Sequence, residues 1–404
     1  MAMTLLSVPE SFDSAHGDLV YVAYNSSNYT QQNYKYICDI YIGGTLITTL
    51  KAYPNPATGH GIFNIGNIVR NYVSSQFAPD LTKNVWVQNY ASYFASVQCK
   101  IGEEYGVPIV ATTNLYLDDT RFFGNNYNGR LVGVYSNLIP YLDSWATNRP
   151  TNTNVLLGSN VVMMPILRTY IDVCSNQVTL NVSVTSLSGT TTTNSKVLTT
   201  FTLASNQMNQ FNVSPQAINN EIGSSIITSN TKYYQVYFTL KDTECNIITL
   251  PTKRFYIYCE SRYTPLTLIW LNKQGGYDSY DFSKVSKKAY DIEKKTYTQL
   301  NYKINSSTGV MSYYNQTTLN DNMVTYSGTF KERLVANTDI IDEATYAWLG
   351  ELVNSPAIYL QSGTYFIPMI IKNTSFDFKT KVVDRQFNLQ LNLEYGDVLN
   401  VQYR

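Results

Sequence analysis

Charge is scarce in this chain: charged residues make up only 14%, well below the ~25% of ordinary soluble domains. What charge there is cancels, 29 Lys+Arg against 29 Asp+Glu. There is therefore no net field to draw in nucleic acid or an anionic membrane. Histidine is scarcer still, with only His16 and His60. No window approaches the ~18 consecutive apolar residues of a membrane span. The start, Met-Ala-Met-Thr-Leu-Leu-Ser-Val-Pro, lacks a basic opening, a sustained apolar stretch and a small-residue cleavage site, so no export signal is expected. No Walker loop, dinucleotide fingerprint, EF-hand loop or zinc pattern occurs. Cys38, Cys99, Cys174, Cys245 and Cys259 form no C-x-x-C pair and no metal-ligand cluster. All five fall in strand-like segments, where reduced, buried thiols are expected; a Cys38 to Cys99 bridge across one sandwich is the alternative.

The place of charge is taken by Asn, Thr, Ser, Gln and 35 Tyr, while apolar residues reach 44%, enough for proper cores. Low net charge weakens self-repulsion, and Tyr supplies rigid amphipathic contact area, so the composition suits large permanent interfaces. An AT-rich genome loading the chain with Asn, Tyr, Lys and Ile is a second explanation of the same bias. At 404 residues the chain is too long for one ordinary core.

Short β-rich runs broken by turn residues dominate from Leu19 to Glu260. Tyr34, Tyr36, Cys38 and Ile40 alternate with a second face, and Gly43-Gly44 then turns the chain into Thr45 to Leu50, a hairpin pattern. After Gly61-Ile62-Phe63-Asn64-Ile65, helical spacing places Ile65, Ile68, Val69, Tyr72 and Val73 on one face. Trp86 to Lys100 and Pro108 to Leu117 read as a second hairpin turning at Gly102 to Gly106. The middle third repeats this order. Val178 to Val184 alternates, a turn is expected at Ser186 to Ser195, and a strand at Val197 to Leu203. Phe211-Asn212-Val213-Ser214 echoes Phe63-Asn64-Ile65-Gly66. Tyr233 to Lys241, a turn at Asp242 to Cys245, and Arg254 to Cys259 echo the second hairpin.

Residues 1–120 and 121–262 are thus expected to form tandem immunoglobulin-like β-sandwich domains, two copies of one unit joined by the segment Asp118 to Asn160, with 121–160 as linker. Residues 263–404 are expected to form a β-rich C-terminal domain. It should carry a hairpin at Leu266 to Leu271 and Tyr277 to Phe282, and a helix near 342–353 capped by Asp342 and stopped by Asn354-Ser355-Pro356. Strands follow at Ala357 to Leu360, Tyr365 to Ile371 and Phe387 to Tyr395. The fold class is all-β.

Nothing in this inventory assembles a catalyst. His16, near Asp13 and Asp18, lies in a Ser/Gly-containing loop, and His60 sits in a glycine turn without a nucleophile motif. Glu103-Glu104 and Asp118-Asp119 are adjacent in sequence, so their side chains diverge instead of facing one substrate, and solvated turn acids are expected. Lys284, Lys287, Lys288, Lys294 and Lys295, interleaved with Tyr290 and Tyr297, mimic a nucleic-acid platform. Asp281, Asp291 and Glu293 dilute them, so a solvated face is expected. No catalytic, cofactor-binding or metal-ligating residue is assigned, and no cofactor is expected.

One stretch, Leu268-Ile269-Trp270-Leu271-Asn272-Lys273-Gln274-Gly275-Gly276-Tyr277-Asp278-Ser279-Tyr280-Asp281-Phe282, resembles virion structural proteins of tailed phages infecting Bacteroidetes, including the crAss-like group. Trp348 to Leu360, Phe366 to Ile371 and Gly61 to Ile65 fit the same pattern. The resemblance implies a non-enzymatic component of a phage particle, in head decoration (auxiliary capsid) or head-fibre attachment, with a tail or baseplate role and a carbohydrate- or receptor-binding module as alternatives. It implies oligomeric packing among other virion proteins (capsid, fibre or tail), with no nucleic acid and no membrane as partners. The location implied is the virion, assembled in the host bacterial cytoplasm. No functional residue is carried over, because the shared motifs mark fold elements.

Overall fold

A computed structural model describes residues 3–107, 117–125, 144–168, 178–198, 207–241, 245–258, 262–284, 286–298, 302–313, 323–372, 387–396 and 399–402. It is nearly all β, with 55% strand and 9% helix. Cys174, Cys259, Pro108 to Tyr116, Thr199 to Leu203 and the turn at Asp242 to Glu244 lie outside the described residues.

The first sandwich is built from β1 (Thr4–Ser7), β2 (Phe12–Ser14), β3 (Val20–Tyr24), β4 (Lys35–Ile42), β5 (Thr45–Ala52), β6 (Gly61–Asn64), the short α1 (Gly66–Val69), β8 (Phe94–Glu104) and β9 (Leu117–Gly124), with β7 (Trp86–Tyr90) lying between α1 and β8 in the chain. One sheet runs β1-β3-β6 and the other β2-β9-β8-β4-β5. Period-two alternation explains the packing: Tyr36, Cys38 and Ile40 of β4 and Val97, Cys99 and Ile101 of β8 turn inward onto Tyr21, Ala23 and Phe63 of the facing sheet. Gly43 and Gly44, at φ 58° and 82°, make the β4–β5 turn in a region closed to most side chains.

The second sandwich comprises β10 (Ser144–Trp145), β11 (Asn152–Leu156), β12 (Met163–Arg168), β13 (Val178–Ser186), β14 (Thr191–Leu198), β15 (Gln207–Asn212), α2 (Pro215–Ile222), β16 (Thr231–Lys241), β17 (Ile247–Thr249) and β18 (Lys253–Tyr258). Its sheets run β10-β12-β15-β7 and β11-β18-β16-β13-β14, with β17 beside β16. Element for element this is the order of the first sandwich, down to one parallel pairing in each, β2 with β9 and β11 with β18. Two sheets ordered in this way are compatible with an immunoglobulin-like sandwich. The α2 start follows from local chemistry: Ser214 Oγ accepts from Ala217 N at 3.2 Å, Pro215 occupies the first turn, and Gly223 ends the helix at φ 80°.

Several expectations need correction. Trp86 to Lys100 is not one strand: β7 leaves the first sandwich and pairs antiparallel with β15 of the second, Met208 opposite Tyr90. Gly102 to Glu104 is not a turn. β8 continues through Glu104, because β4 is long enough to pair with it as far as Lys35, and it also pairs with β9 over Leu117 to Gly124. The turn expected at Ser186 to Ser195 is confined to Leu187–Thr190, the rest pairing across the β13–β14 hairpin. The segment Asp118 to Asn160 itself supplies strands to both sandwiches.

The remaining elements are β19 (Leu266–Leu271), β20 (Tyr277–Phe282), β21 (Lys287–Thr298), β22 (Tyr302–Ile304), β23 (Met311–Tyr313), β24 (Met323–Asn337), α3 (Glu343–Val353), β25 (Ile358–Ser362), β26 (Tyr365–Ile371), β27 (Gln390–Tyr395) and β28 (Leu399–Gln402). Asp342 Oδ1 accepts from Thr345 N at 2.9 Å, the cap that starts α3. By compactness the chain divides into two units. One holds Met1–Glu260, Ile269–Asp281 and Ala347–Pro356, and the other Ser261–Leu268, Phe282–Tyr346 and Ala357–Arg404. Within the second unit the sheet runs β25-β26-β27-β24-β21, with β28 also on β24. Its buried face is carried by Leu334, Ala336, Leu391 and Leu393.

Cys38 and Cys99 are free thiols with no exposed surface on neighbouring strands, so the bridge between them is not formed. A hydrogen bond with Cys99, together with burial, pushes the Cys38 thiol well above its ordinary value. Both cysteines should resist alkylation in the native protein and react once guanidinium unfolds it, which peptide mapping of the alkylated sites checks. Cys245 departs from the expected buried thiol: it is exposed, lies outside any strand at φ 68°, and is disulfide-bonded.

Candidate functional site

The residues singled out in the sequence are dispersed. His16 is exposed and meets Asn125 Oδ1 through Nε2 at 2.9 Å, while His60 packs edge-on against Tyr24 with ring centroids 5.0 Å apart. Asp18 accepts from Asn64 Nδ2 at 3.0 Å. Asp13 is 3% exposed, and burial pushes its carboxyl up to about 6. Because the folded state holds this proton more tightly than the unfolded chain, Asp13 stabilises least at high pH. Its contribution is largest below 3.8 and is lost as pH rises through about 6. Asp13→Asn, which keeps an acceptor for Ser14 N, should raise Tm by a few degrees above that range and flatten the acid-side pH dependence, measurable by calorimetry across pH.

Glu103 and Glu104 are not solvated turn acids. Each is 2% exposed, and they point to opposite faces of β8. Glu103 accepts from Tyr34 OH at 2.7 Å, Asn28 Nδ2 at 2.8 Å and Asn25 Nδ2 at 2.9 Å, whereas Glu104 pairs with Lys51 at 2.7 Å. Asp118 and Asp119 lie in strand β9, where Asp119 pairs with Arg121 at 2.8 Å. Lys287, Lys288, Lys294 and Lys295 lie on the exposed strand β21, with Lys288 paired to Glu332 at 3.2 Å and Asp291 to Arg333, while Lys284 precedes the strand and pairs with Asp339 at 3.2 Å and Asp281 is buried in β20. β21 is a solvated strand face, as expected.

The densest chemistry lies where sequence reasoning placed none. Thr147, Asn148 and Arg149, in the loop after β10, meet Asp278 and Ser279 of β20, Lys253 at the start of β18, and Trp348 and Glu351 of α3. Asp278, with no exposed surface, accepts from Thr147 Oγ1 at 2.6 Å and Trp348 Nε1 at 3.0 Å. Arg149, 3% exposed, donates to the Ser279 carbonyl and stacks on the Trp348 ring at 4.6 Å. Lys253 donates to the Arg149 carbonyl, and Asn148 Nδ2 to Glu351 Oε1 at 2.6 Å. Trp270 packs on Trp348 with centroids 5.0 Å apart.

Burial sets the protonation of every charge here. It raises the carboxyls of Asp278 and Glu351 and lowers the Arg149 guanidinium, the Arg149–Asp278 attraction opposing both shifts of that pair. It brings the Lys253 ammonium down to about 8, helped by repulsion from Arg149. Such shifts also mark active sites, but a catalyst must reach its substrate. In this cluster Asp278 Oδ2, Asn148 Nδ2 and Lys253 Nζ are bonded to neighbours within the cluster, Arg149 Nε, Asp278 Oδ1 and Glu351 Oε2 are buried without a hydrogen-bond partner, and Asp278 is fully enclosed. What the arrangement can do is fix position: it holds the turn of the β19–β20 hairpin and the end of α3 against the second sandwich. Among the described residues no group of three or more His, Cys, Asp or Glu is placed to hold a metal ion, and no helix is long and apolar enough to cross a membrane.

A second feature is a cleft of about 390 Å³ at the β13–β14 end of the second sandwich, lined by Ser186, Ser188, Thr190, Asn194, Ile226 and Asn230 among others. It carries hydroxyls and amides and no charge, and Asn194 Nδ2 is buried there without a hydrogen-bond partner.

No family model matches the chain, and no curated protein shows significant similarity to it.

Proposed function

We propose that this chain is a non-enzymatic structural component of a phage virion, acting in head decoration or head-fibre attachment, with tail or baseplate as the alternative position. The observation that carries the reading is that its chemistry-bearing side chains are spent on holding β elements together, in a duplicated sandwich laced by an exchanged strand. Zero net charge and a Tyr- and Asn-rich composition suit permanent packing among other virion proteins. The resemblance of Leu268 to Phe282 to virion proteins of Bacteroidetes-infecting phages points the same way. An exposed disulfide at Cys245 suits a surface that ends outside the reducing cytoplasm. Mass spectrometry of density-purified particles tests the proposal, and immunogold labelling then separates head from tail. Absence of the chain from particles overturns it.

The hydroxyl- and amide-lined cleft favours a second reading, a site for an uncharged saccharide. A glycan array with a calcium titration decides it: one strong, specific hit lost in Asn194→Ala establishes that activity.

A further inference from the structure

Apart from β17, which among the described residues only the second sandwich has, the two sandwiches differ in one edge and one face. Phe63-Asn64 and Phe211-Asn212 are equivalent positions: Asn64 lies opposite Val20, and Asn212 opposite Met163. Ile65 N donates to Leu19 O at 2.9 Å, and Val213 N to Val162 O at 2.8 Å. Both Asn side chains then accept from the backbone two residues on, Asn64 Oδ1 from Gly66 N at 3.1 Å and Asn212 Oδ1 from Ser214 N at 3.2 Å. In an antiparallel pair, alternate residues aim their backbone groups at the neighbouring strand and the rest aim away. Gly61, Phe63 and Ile65 therefore serve β3, while Ile62 and Asn64 present theirs to the outer edge.

In the second sandwich that outer edge is filled. Gln210 and Met208 lie opposite β7, Asn212 N donates to Val85 O at 2.6 Å, and Val85, fully buried, closes the core. The outer face of β12 and β15 is filled as well. Met163, Leu167, Met208 and Gln210 have no exposed surface, Gln210 exchanges two hydrogen bonds with the Tyr277 backbone, and Ser279 Oγ accepts from Met163 N. In the first sandwich, among the described residues, no strand pairs with the outer edge of β6, and Ile62 on the equivalent face is 51% exposed.

We infer that the outer edge of β6 is a strand-acceptor site, and that its occupant is an extended segment of another protein, adding antiparallel along Ile62–Asn64 as β7 adds to β15. A second copy of this chain is the weaker occupant, because its own β7, the strand built for this role, is already consumed within its own fold. The β7 pattern specifies the partner: a run of about five residues led by a β-branched side chain that closes the core, as Val85 does here, and no proline at the paired amides. The inference stands apart from the virion reading, since an acceptor edge can be present or absent in a protein of any location.

The test uses the full chain and a synthetic peptide spanning Thr82–Ser92, the natural complement of the equivalent edge, followed by residue-resolved amide exchange. Without peptide, the Ile62 and Asn64 amides should exchange fast and the Asn212 amide slowly. With peptide, Ile62 and Asn64 should gain at least tenfold protection while Asn212 is unchanged. Ile62→Pro, which deletes a donor that β3 does not use, should abolish the gain. Ile62→Lys, a charge on the edge that keeps the donor, should reduce it and guards against misfolding of the proline variant. The inference is overturned by no added protection at millimolar peptide, or by protection that survives both variants. It is also overturned if the amides are already protected in the free chain, or gain protection with protein concentration alone, which would identify a second copy as the occupant.

Discussion

Asp278→Ala is expected to destabilise the unit that holds both sandwiches by about 3–5 kcal/mol, the cost of removing one partner from a buried charged pair. The loss has three sources. Thr147 Oγ1 and Trp348 Nε1 lose their common acceptor, and Arg149 keeps a guanidinium in a site that burial already penalises. Urea unfolding followed by tryptophan fluorescence reads the change, since Trp270 and Trp348 lie in the affected packing. Arg149→Met alone should cost a comparable amount. The double variant Arg149→Met with Asp278→Ala should cost clearly less than the sum of the two singles, because it removes the charges together and returns an apolar contact with Trp348. Full additivity would mean that the two groups do not act as a pair.

The same cluster marks the limit of what the sequence discloses. Elements governed by local chemistry were legible: β19, β20 and β26 begin and end where turn residues and alternation place them, and α3 follows Asp342 because its side chain caps the helix. The duplication was legible through the Phe-Asn echo, which recurs because each Asn holds the turn after its strand. The cluster was not. Arg149 and Asp278 are far apart in the chain, Arg149-Pro150 reads as loop punctuation, and Asp278 alternates as a solvent-facing residue of a half-buried strand would. In fact every residue of β20 is buried, because both faces of that strand are covered. A signal was present in Tyr277-Asp278-Ser279-Tyr280-Asp281-Phe282, where two acids stand among aromatics with no nearby lysine on the strand. Glu103-Glu104 misled for the opposite reason: the flanking Gly102 and Gly106 imitate a turn, and only the length of β4, not visible locally, keeps those residues in the ladder.

β7 is the other element that periodicity does not place, because alternation shows that a strand has one buried face and not which core buries it. Val85, just before β7, is the sharpest probe of this exchange. It follows the first sandwich in the chain, yet it has no exposed surface and packs in the core of the second with Phe211 and Met164. Val85→Asp would place a carboxylate there without a partner, a change expected to cost several kcal/mol. The damage should be asymmetric. Amides of β15 should lose protection, Asn212 first, because its donor bond to Val85 O depends on the seating of β7. Cys38 and Cys99, in the core of the first sandwich, should stay closed to alkylation under the same conditions. A conservative Val85→Ala should show the same pattern at about 1–3 kcal/mol, the scale of a buried side chain cut back to its first carbon. Equal loss of protection in both sandwiches would instead mean that they unfold as one cooperative body. Loss confined to the first sandwich would contradict the assignment of β7 to the second sheet.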